Sequence, residues 1–131
     1  MSEQDTAAAA QPTDHDAVYP DGDEATQAVR DIADVAAVEV ITTAAVHLLS
    51  AAAVKVGLAD DPDNQIDLDE ARKLINALAG LITAGAPEVS DMHARSLRDG
   101  LRSVQLAFRE ASPIPDAIGK GPGEKYTGPV N

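Results

Sequence analysis

Three observations predict an all-α fold, a small domain of three principal helices. Apolar residues recur at alternating intervals of three and four in three stretches of the chain, which is the spacing that lines one face of a helix. Glycine, proline and acidic residues separate these stretches, as expected of turns. Aromatic residues make up only 2% of the 131 residues. The core is therefore predicted to consist of alanine, valine and leucine, which suits close helix packing.

Disordered tails are predicted at both ends of the helical domain. Residues 1–23 form an acidic stretch without apolar periodicity, a composition typical of disorder. Residues 113–131 are rich in proline and glycine and are predicted to be a flexible tail. The helical domain would span residues 24–112 and open with a short lead-in helix. The apolar residues that indicate this helix are Ala25, Val29, Ile32 and Val35.

The first principal helix is predicted from about Ala36 to Leu58. Gly57 and the acidic, proline-containing segment 59–64 would end it, because glycine and proline interrupt helices. Its apolar line consists of Val38, Ile41, Ala45, Leu48, Ala52 and Val56.

The second helix is predicted to begin at Asp67, whose carboxylate can accept a hydrogen bond from a first-turn N–H group. Glu70, three residues later, is typical of such a helix start. Gly85 followed by Pro87 predicts the end. The apolar face comprises Ala71, Leu74, Ile75, Leu78, Leu81 and Ile82.

The third helix carries the strictest pattern. Ser90 is predicted to cap its start. Its apolar residues follow intervals of three, four, three, four and three, which is typical of a coiled-coil packing seam. They are Ala94, Leu97, Leu101, Val104, Phe108 and Ala111. A core of this size is marginal, which favours self-association.

Composition excludes several classes of function. The absence of cysteine rules out disulfides, thiolate metal sites and cysteine nucleophiles. The first residues lack the basic start and apolar core of a secretory signal. The longest uncharged run has 15 residues, whereas a transmembrane helix needs about 20. The net charge of −12 opposes direct binding of nucleic acid and of anionic membranes. A cytoplasmic protein without cofactors is predicted.

Metal sites fit the sequence poorly. With Asp61 as the first ligand of a calcium loop, Ile66 stands where glycine is needed and Arg72 where glutamate is needed. The three histidines, His15, His47 and His93, lie far apart in the sequence. Two of them could meet across a bundle and bind zinc with a carboxylate, but single histidines on helices are usually structural or solvated.

Catalysis is also not predicted, so the chain is expected not to be an enzyme. The candidate serine nucleophiles fall in helices or at a helix start, and none lies in a G-x-S-x-G turn. They are Ser50, Ser90, Ser96 and Ser103. No catalytic, cofactor-binding or metal-ligating residue is assigned.

Two features remain as candidate partner-binding sites. Arg95, Arg98 and Arg102, continued by Arg109, form a basic stripe along the third helix; it would bind an acidic partner, or it is a solvated face. Tyr126 lies in the Gly/Pro-rich tail, which is either a linker or a short binding peptide.

Three segments resemble the bacterial family catalogued as domain of unknown function eighteen-forty-four, particularly its actinobacterial branch. They are Lys55-Val56-Gly57-Leu58, Leu68-Asp69-Glu70-Ala71-Arg72 and Phe108-Arg109-Glu110. In that branch the similarity continues into Gly121-Pro122-Gly123-Glu124-Lys125-Tyr126. The resemblance implies a short helical cytoplasmic protein with no assigned activity, cofactor or catalytic residue. Genes of the family often lie near translation initiation genes.

Three functional hypotheses follow. The first is a non-catalytic helical protein-interaction module that binds an unknown protein or forms a homo-oligomer. The second is a translation- or ribosome-associated factor that uses the arginine stripe. The third, a metal-dependent enzyme using His47 or His93, is the least favoured.

Overall fold

A computed structural model describes residues 32–60 and 65–131. The chain divides at Val35, and residues 36–131 form its second, compact unit. The predicted acidic tail, most of the predicted lead-in helix and residues 61–64 of the acidic loop lie outside the described residues.

All regular structure in the described part of the chain is helical, as the sequence predicts. Four α-helices follow one another in the second unit, and a short 3-10 helix, Ala86–Glu88, joins the second to the third. They are α1 (Ala37–Lys55), α2 (Leu68–Gly85), α3 (Asp91–Ala111) and the single-turn α4 (Glu124–Thr127).

The predicted helix starts are confirmed by their hydrogen bonds. Asp67 Oδ1 accepts from the backbone N–H of Glu70 at 3.2 Å, and Ser90 Oγ accepts from the N–H of His93 at 3.2 Å. Each bond satisfies a first-turn donor that has no partner within the helix. The start of α1 at Ala36 has no side-chain cap.

The end of α1 is a Schellman turn. Gly57 has a φ of +94°, a conformation that glycine adopts at little cost. The N–H of Gly57 donates to Val54 O and that of Leu58 donates to Ala53 O, at 3.1 and 2.9 Å, the paired bonds of this motif. The N–H of Asp67 donates to Lys55 O at 2.9 Å, so the next helix starts directly beside this end.

Helices α1, α2 and α3 each pack against the other two. The core consists of small and medium aliphatic side chains together with Phe108. Within the α3 seam, five of the six predicted positions are buried and Ala111 is half-buried. The largest fully buried side chains are Ile75, Leu78 and Val104. The helices approach closely, since a Cβ placed on Gly100 of α3 would lie 2.5 Å from Leu49 Cδ2 of α1.

The prediction of a flexible C-terminal tail is wrong. Residues 113–131, here named the C-terminal clasp, fold back against α2 and α3. They contain α4, and Pro122, Gly123 and Val130 are buried. The prediction failed because proline and glycine content signals only the absence of a long helix. It gives no information on whether an irregular segment finds partners.

Candidate partner-binding surfaces

The contact between the clasp and α2 centres on Gly123. Its N–H donates to Asn76 Oδ1 at 2.7 Å, and its φ is +77°. A Cβ at this position would lie 3.0 Å from both Ala79 Cβ and Gln105 Nε2. A side chain at position 123 therefore meets both backbone strain and a steric conflict.

Gln105 holds the clasp from the α3 side. It is the one buried polar side chain of the described residues, and its Nε2 group donates to Pro122 O at 3.1 Å and to Thr127 Oγ1 at 3.2 Å. Buried polar groups need such partners, because an unpaired one loses its hydration without compensation. Gln105 was not predictable from the sequence, because it follows the apolar Val104 and carries no periodic signal.

Glu124 closes the clasp on itself. Its Oε1 accepts from the N–H of Gly121 and its Oε2 accepts from the N–H of Val130, both at 2.7 Å. Bonds to a charged acceptor are shorter and stronger than neutral ones. One carboxylate thus joins two points of the segment that are nine residues apart.

Arginine side chains attach the rest of the clasp. Arg109 Nη1 donates to Val130 O at 2.6 Å, and Arg102 Nη2 donates to Asn131 O. Arg72 Nη2 lies 3.1 and 3.0 Å from the two carboxylate oxygens of Asp116. The same guanidinium stacks 4.9 Å from the centre of the Phe108 ring, a favourable cation–π arrangement.

Tyr126 lies against α2. It is 44% exposed, and a Cβ built on Gly80 would lie 3.3 Å from its hydroxyl oxygen. Lys125 Nζ lies 5.2 Å from the centre of the tyrosine ring. The residue is therefore part of the packed clasp, and only its outer face is available to a partner.

The predicted arginine stripe is divided into two parts. Arg102 and Arg109 are engaged by the carbonyl oxygens of the clasp. Arg95 and Arg98, nearer the start of α3, are exposed. The structure does not bring these two together with Tyr126 through any described contact.

A cavity of about 90 Å³ lies between α3 and the clasp. Ligand sites for small molecules usually enclose about 300–1,000 Å³, so this space suits a few water molecules. Its charged lining residues are already engaged: Asp116 with Arg72, Glu124 with two backbone N–H groups, and Arg109 with Val130 O.

Candidate metal-binding and catalytic groups are dispersed. Among residues 32–60 and 65–131, no three or more histidine and carboxylate side chains are grouped to hold an ion. His47 on α1 and His93 on α3 are both exposed. The pKa of Lys73 is raised by its hydrogen bond to Glu70 and by the charge of that carboxylate, whereas a nucleophilic lysine requires a lowered pKa.

The outward side of α1 is the largest feature that the sequence analysis did not single out. Only Ala45 and Ala52 of its nineteen residues are buried, yet the helix is long and apolar enough to cross a membrane by length and composition. The 15-residue uncharged run within it had predicted no transmembrane helix. A helix that is apolar on all sides is usually enclosed by other structure, and α1 packs on α2 and α3 with one side only.

Five residues run along that outward side at intervals of three, four, three and four. They are Val40, Thr43, His47, Ser50 and Val54, here named the outer seam. Four of them are exposed and Val54 is half-buried. Beside the seam, Val46 is 47% exposed. The hydroxyl of nearby Thr42 is buried without a hydrogen-bond partner among the described residues. No carboxylate, lysine or arginine side chain belongs to the seam.

Comparison with known proteins identifies one family. The model of a domain of unknown function, DUF1844, matches residues 37–110, which is more than half of the chain. The matched region runs from the first residue of α1 almost to the end of α3 and leaves the clasp outside. No curated protein and no solved structure matches the chain.

Proposed function

Since the chain belongs to the DUF1844 family, whose function is unknown, we propose from its surfaces that it is a non-catalytic helical protein-interaction module. The observation that carries this proposal is the exposure of the outer seam of α1. Fully burying one large aliphatic side chain contributes about 1.5–3 kcal/mol. Val40 and Val46 are each 47% exposed, so covering either would contribute roughly half of that to a complex. We also propose that this module is cytoplasmic. The similarity of residues 121–126 to the actinobacterial branch supports membership of that branch.

The outer seam supports binding better than the sites predicted from sequence. Tyr126 and Arg102 already have partners within the chain, and recruiting them would first break the clasp. Among the described residues, none covers the outer seam and would have to leave before a partner binds, because α2 and α3 pack on the opposite side of α1.

A non-catalytic role is supported by the nature of the available sites. The cavity beside α3 is small, and its charged groups are engaged in hydrogen bonds. A general acid or base must reach a bound substrate from within a cleft. The groove along α1 contains one such group, His47, and its other lining residues are threonine, serine, alanine and valine.

Site-specific photo-crosslinking in the protein's own cells tests this proposal. A photoreactive residue at position 46 is expected to capture a protein of defined mass. The matched control is position 92, because Met92 is an even more exposed apolar residue, at 78%, and belongs to α3 and not to the outer seam. Equal capture at both positions, or no captured protein at position 46, would reject the module.

The exposure of Arg95 and Arg98 favours a second candidate, a factor that associates with the translation machinery. These two side chains could contact ribosomal phosphates even though the whole chain is acidic, because local charge governs a local contact. Salt-sensitive co-sedimentation with ribosomes is expected, and the double substitution Arg95→Glu and Arg98→Glu should abolish it. Unchanged co-sedimentation of that variant would reject this face.

A further inference from the structure

We infer that the partner of the outer seam is a second copy of this chain, paired antiparallel with His47 at the two-fold axis. This inference rests on the proposed function and specifies its partner. A symmetric dimer uses the same surface on both copies, so that surface must be complementary to itself when reversed.

The outer seam meets this requirement. Counted from His47, Val40 and Val54 lie seven residues away on either side. Thr43 is matched by Ala51, four residues away, and Ser50 by Ala44, three away, and both alanines flank the seam. An antiparallel pair centred on His47 therefore places valine opposite valine at both ends. Near the centre it places small residues opposite small residues, which lets two helices approach closely. Intervals of three and four are those by which paired helices interlock.

The charges at the ends of α1 favour the antiparallel direction. Glu39 and Lys55 each lie eight residues from His47, so Glu39 of one copy and Lys55 of the other come to the same end of the pair. A parallel pair would instead bring two glutamates together at one end and two lysines at the other. The helix dipoles also oppose each other favourably only in the antiparallel pair.

The absence of acidic residues from the outer seam reconciles pairing with the strong net charge. At −12, two copies repel each other over most of their surfaces. No carboxylate lies between Val40 and Val54, so this strip is where the repulsion is weakest. Nineteen residues give α1 a length of about 28 Å. A contact of this size belongs with small, weak interfaces, and a concentration-dependent dimer is expected.

Single-cysteine variants of the full chain test the geometry, because the natural sequence has no cysteine. His47→Cys is expected to form a disulfide-linked dimer rapidly under mild oxidation. Val40→Cys and Val54→Cys should each dimerise slowly alone and link to each other rapidly when mixed. A disulfide requires Cα atoms within about 7 Å, which makes the pattern specific for the register. Met92→Cys is the exposed control and sets the rate of random collision.

Sedimentation equilibrium of the unmodified chain, up to about 1 mM, measures the same association without cysteines. A monomer–dimer equilibrium that Val46→Asp shifts to monomer is expected, with unchanged helix content by circular dichroism. Rapid self-linkage of Val40→Cys would indicate a parallel pair and overturn the inference. So would a strict monomer in which every cysteine variant reacts at the rate of Met92→Cys.

The two proposals fail in distinguishable ways. If the purified chain is monomeric but position 46 captures a different protein in cells, the interaction module stands and self-pairing is wrong. If the chain is monomeric and binds lipid vesicles through α1, with no protein captured at position 46, both are wrong.

Discussion

Gly123 donates its backbone N–H to Asn76 Oδ1 across 2.7 Å, although the two residues are 47 positions apart in the chain. This bond joins the clasp to α2, while Gln105 joins it to α3. The clasp is therefore attached to both helices, largely by side chains that form hydrogen bonds with its backbone.

We predict that Gly123→Ala loosens the clasp. The added Cβ would lie 3.0 Å from Ala79 Cβ and Gln105 Nε2, and alanine is disfavoured at a φ of +77°. A loss of about 2–4 kcal/mol is expected from strain and overpacking together. Chemical denaturation measures the loss, and limited proteolysis should cleave the clasp first.

Gly119→Ala is the matched control for that substitution. Gly119 also has a positive φ, +80°, but a Cβ there would meet only Pro129 Cγ at 3.9 Å. It carries the backbone strain without the steric conflict, so its effect should be smaller, about 1 kcal/mol. Equal losses for the two variants would show that the contacts with Ala79 and Gln105 are unimportant.

We further predict that Glu124→Gln exposes the amides of Gly121 and Val130 to hydrogen exchange. The neutral amide keeps one good acceptor, whereas the carboxylate accepts from both N–H groups at 2.7 Å. Bonds to a charged group contribute about 1.5–3 kcal/mol, so exchange at one or both amides should accelerate at least about tenfold. Glu110→Gln, on the exposed side of α3, should leave both rates unchanged.

Periodic features were predictable from the sequence, and long-range polar contacts were not. The α3 seam and the caps at Asp67 and Ser90 depend on neighbours within a few residues, so spacing alone reveals them. The bond between Asn76 and Gly123 depends on the folded path of the chain. Neither residue carries a local signal, because asparagine is common on helix surfaces and glycine is common in loops.

The arginine stripe shows a related limit. Its regular spacing along α3 was read correctly, but spacing does not indicate what lies opposite. Arg102 and Arg109 donate hydrogen bonds to the carbonyl oxygens of Asn131 and Val130, respectively. These contacts were not predicted, because the tail was predicted to be flexible. The outward side of α1 carries no such regular signal, because threonine, serine and His47 separate Val40 from Val54 along it.

The ion pair of α2 gives a prediction on pH. The hydrogen bond to Glu70, 2.7 Å long, raises the pKa of Lys73 above 10.5, so Glu70→Gln should lower that pKa towards its ordinary value in an NMR titration. Because the folded-state pKa is the higher one, the pair stabilises the fold below the unfolded pKa and ceases to do so as pH rises through the folded pKa. Glu88→Gln should leave the titration of Lys73 unchanged.

Neighbouring alanines on α1 test which side of this helix faces the core. Ala45 is fully buried and Ala44 is exposed, so the same substitution can be made on either side of one turn. Ala45→Leu forces three extra carbon atoms into a packed interior and should cost about 1–3 kcal/mol. Ala44→Leu should change the free energy of unfolding by less than about 0.5 kcal/mol, because leucine and alanine have similar helix propensities. Thermal and urea denaturation of the two variants measure the difference. If both variants are equally destabilised at a concentration at which the chain is monomeric, the outward side of α1 is covered by the chain itself, and the outer seam is not the surface available to a partner.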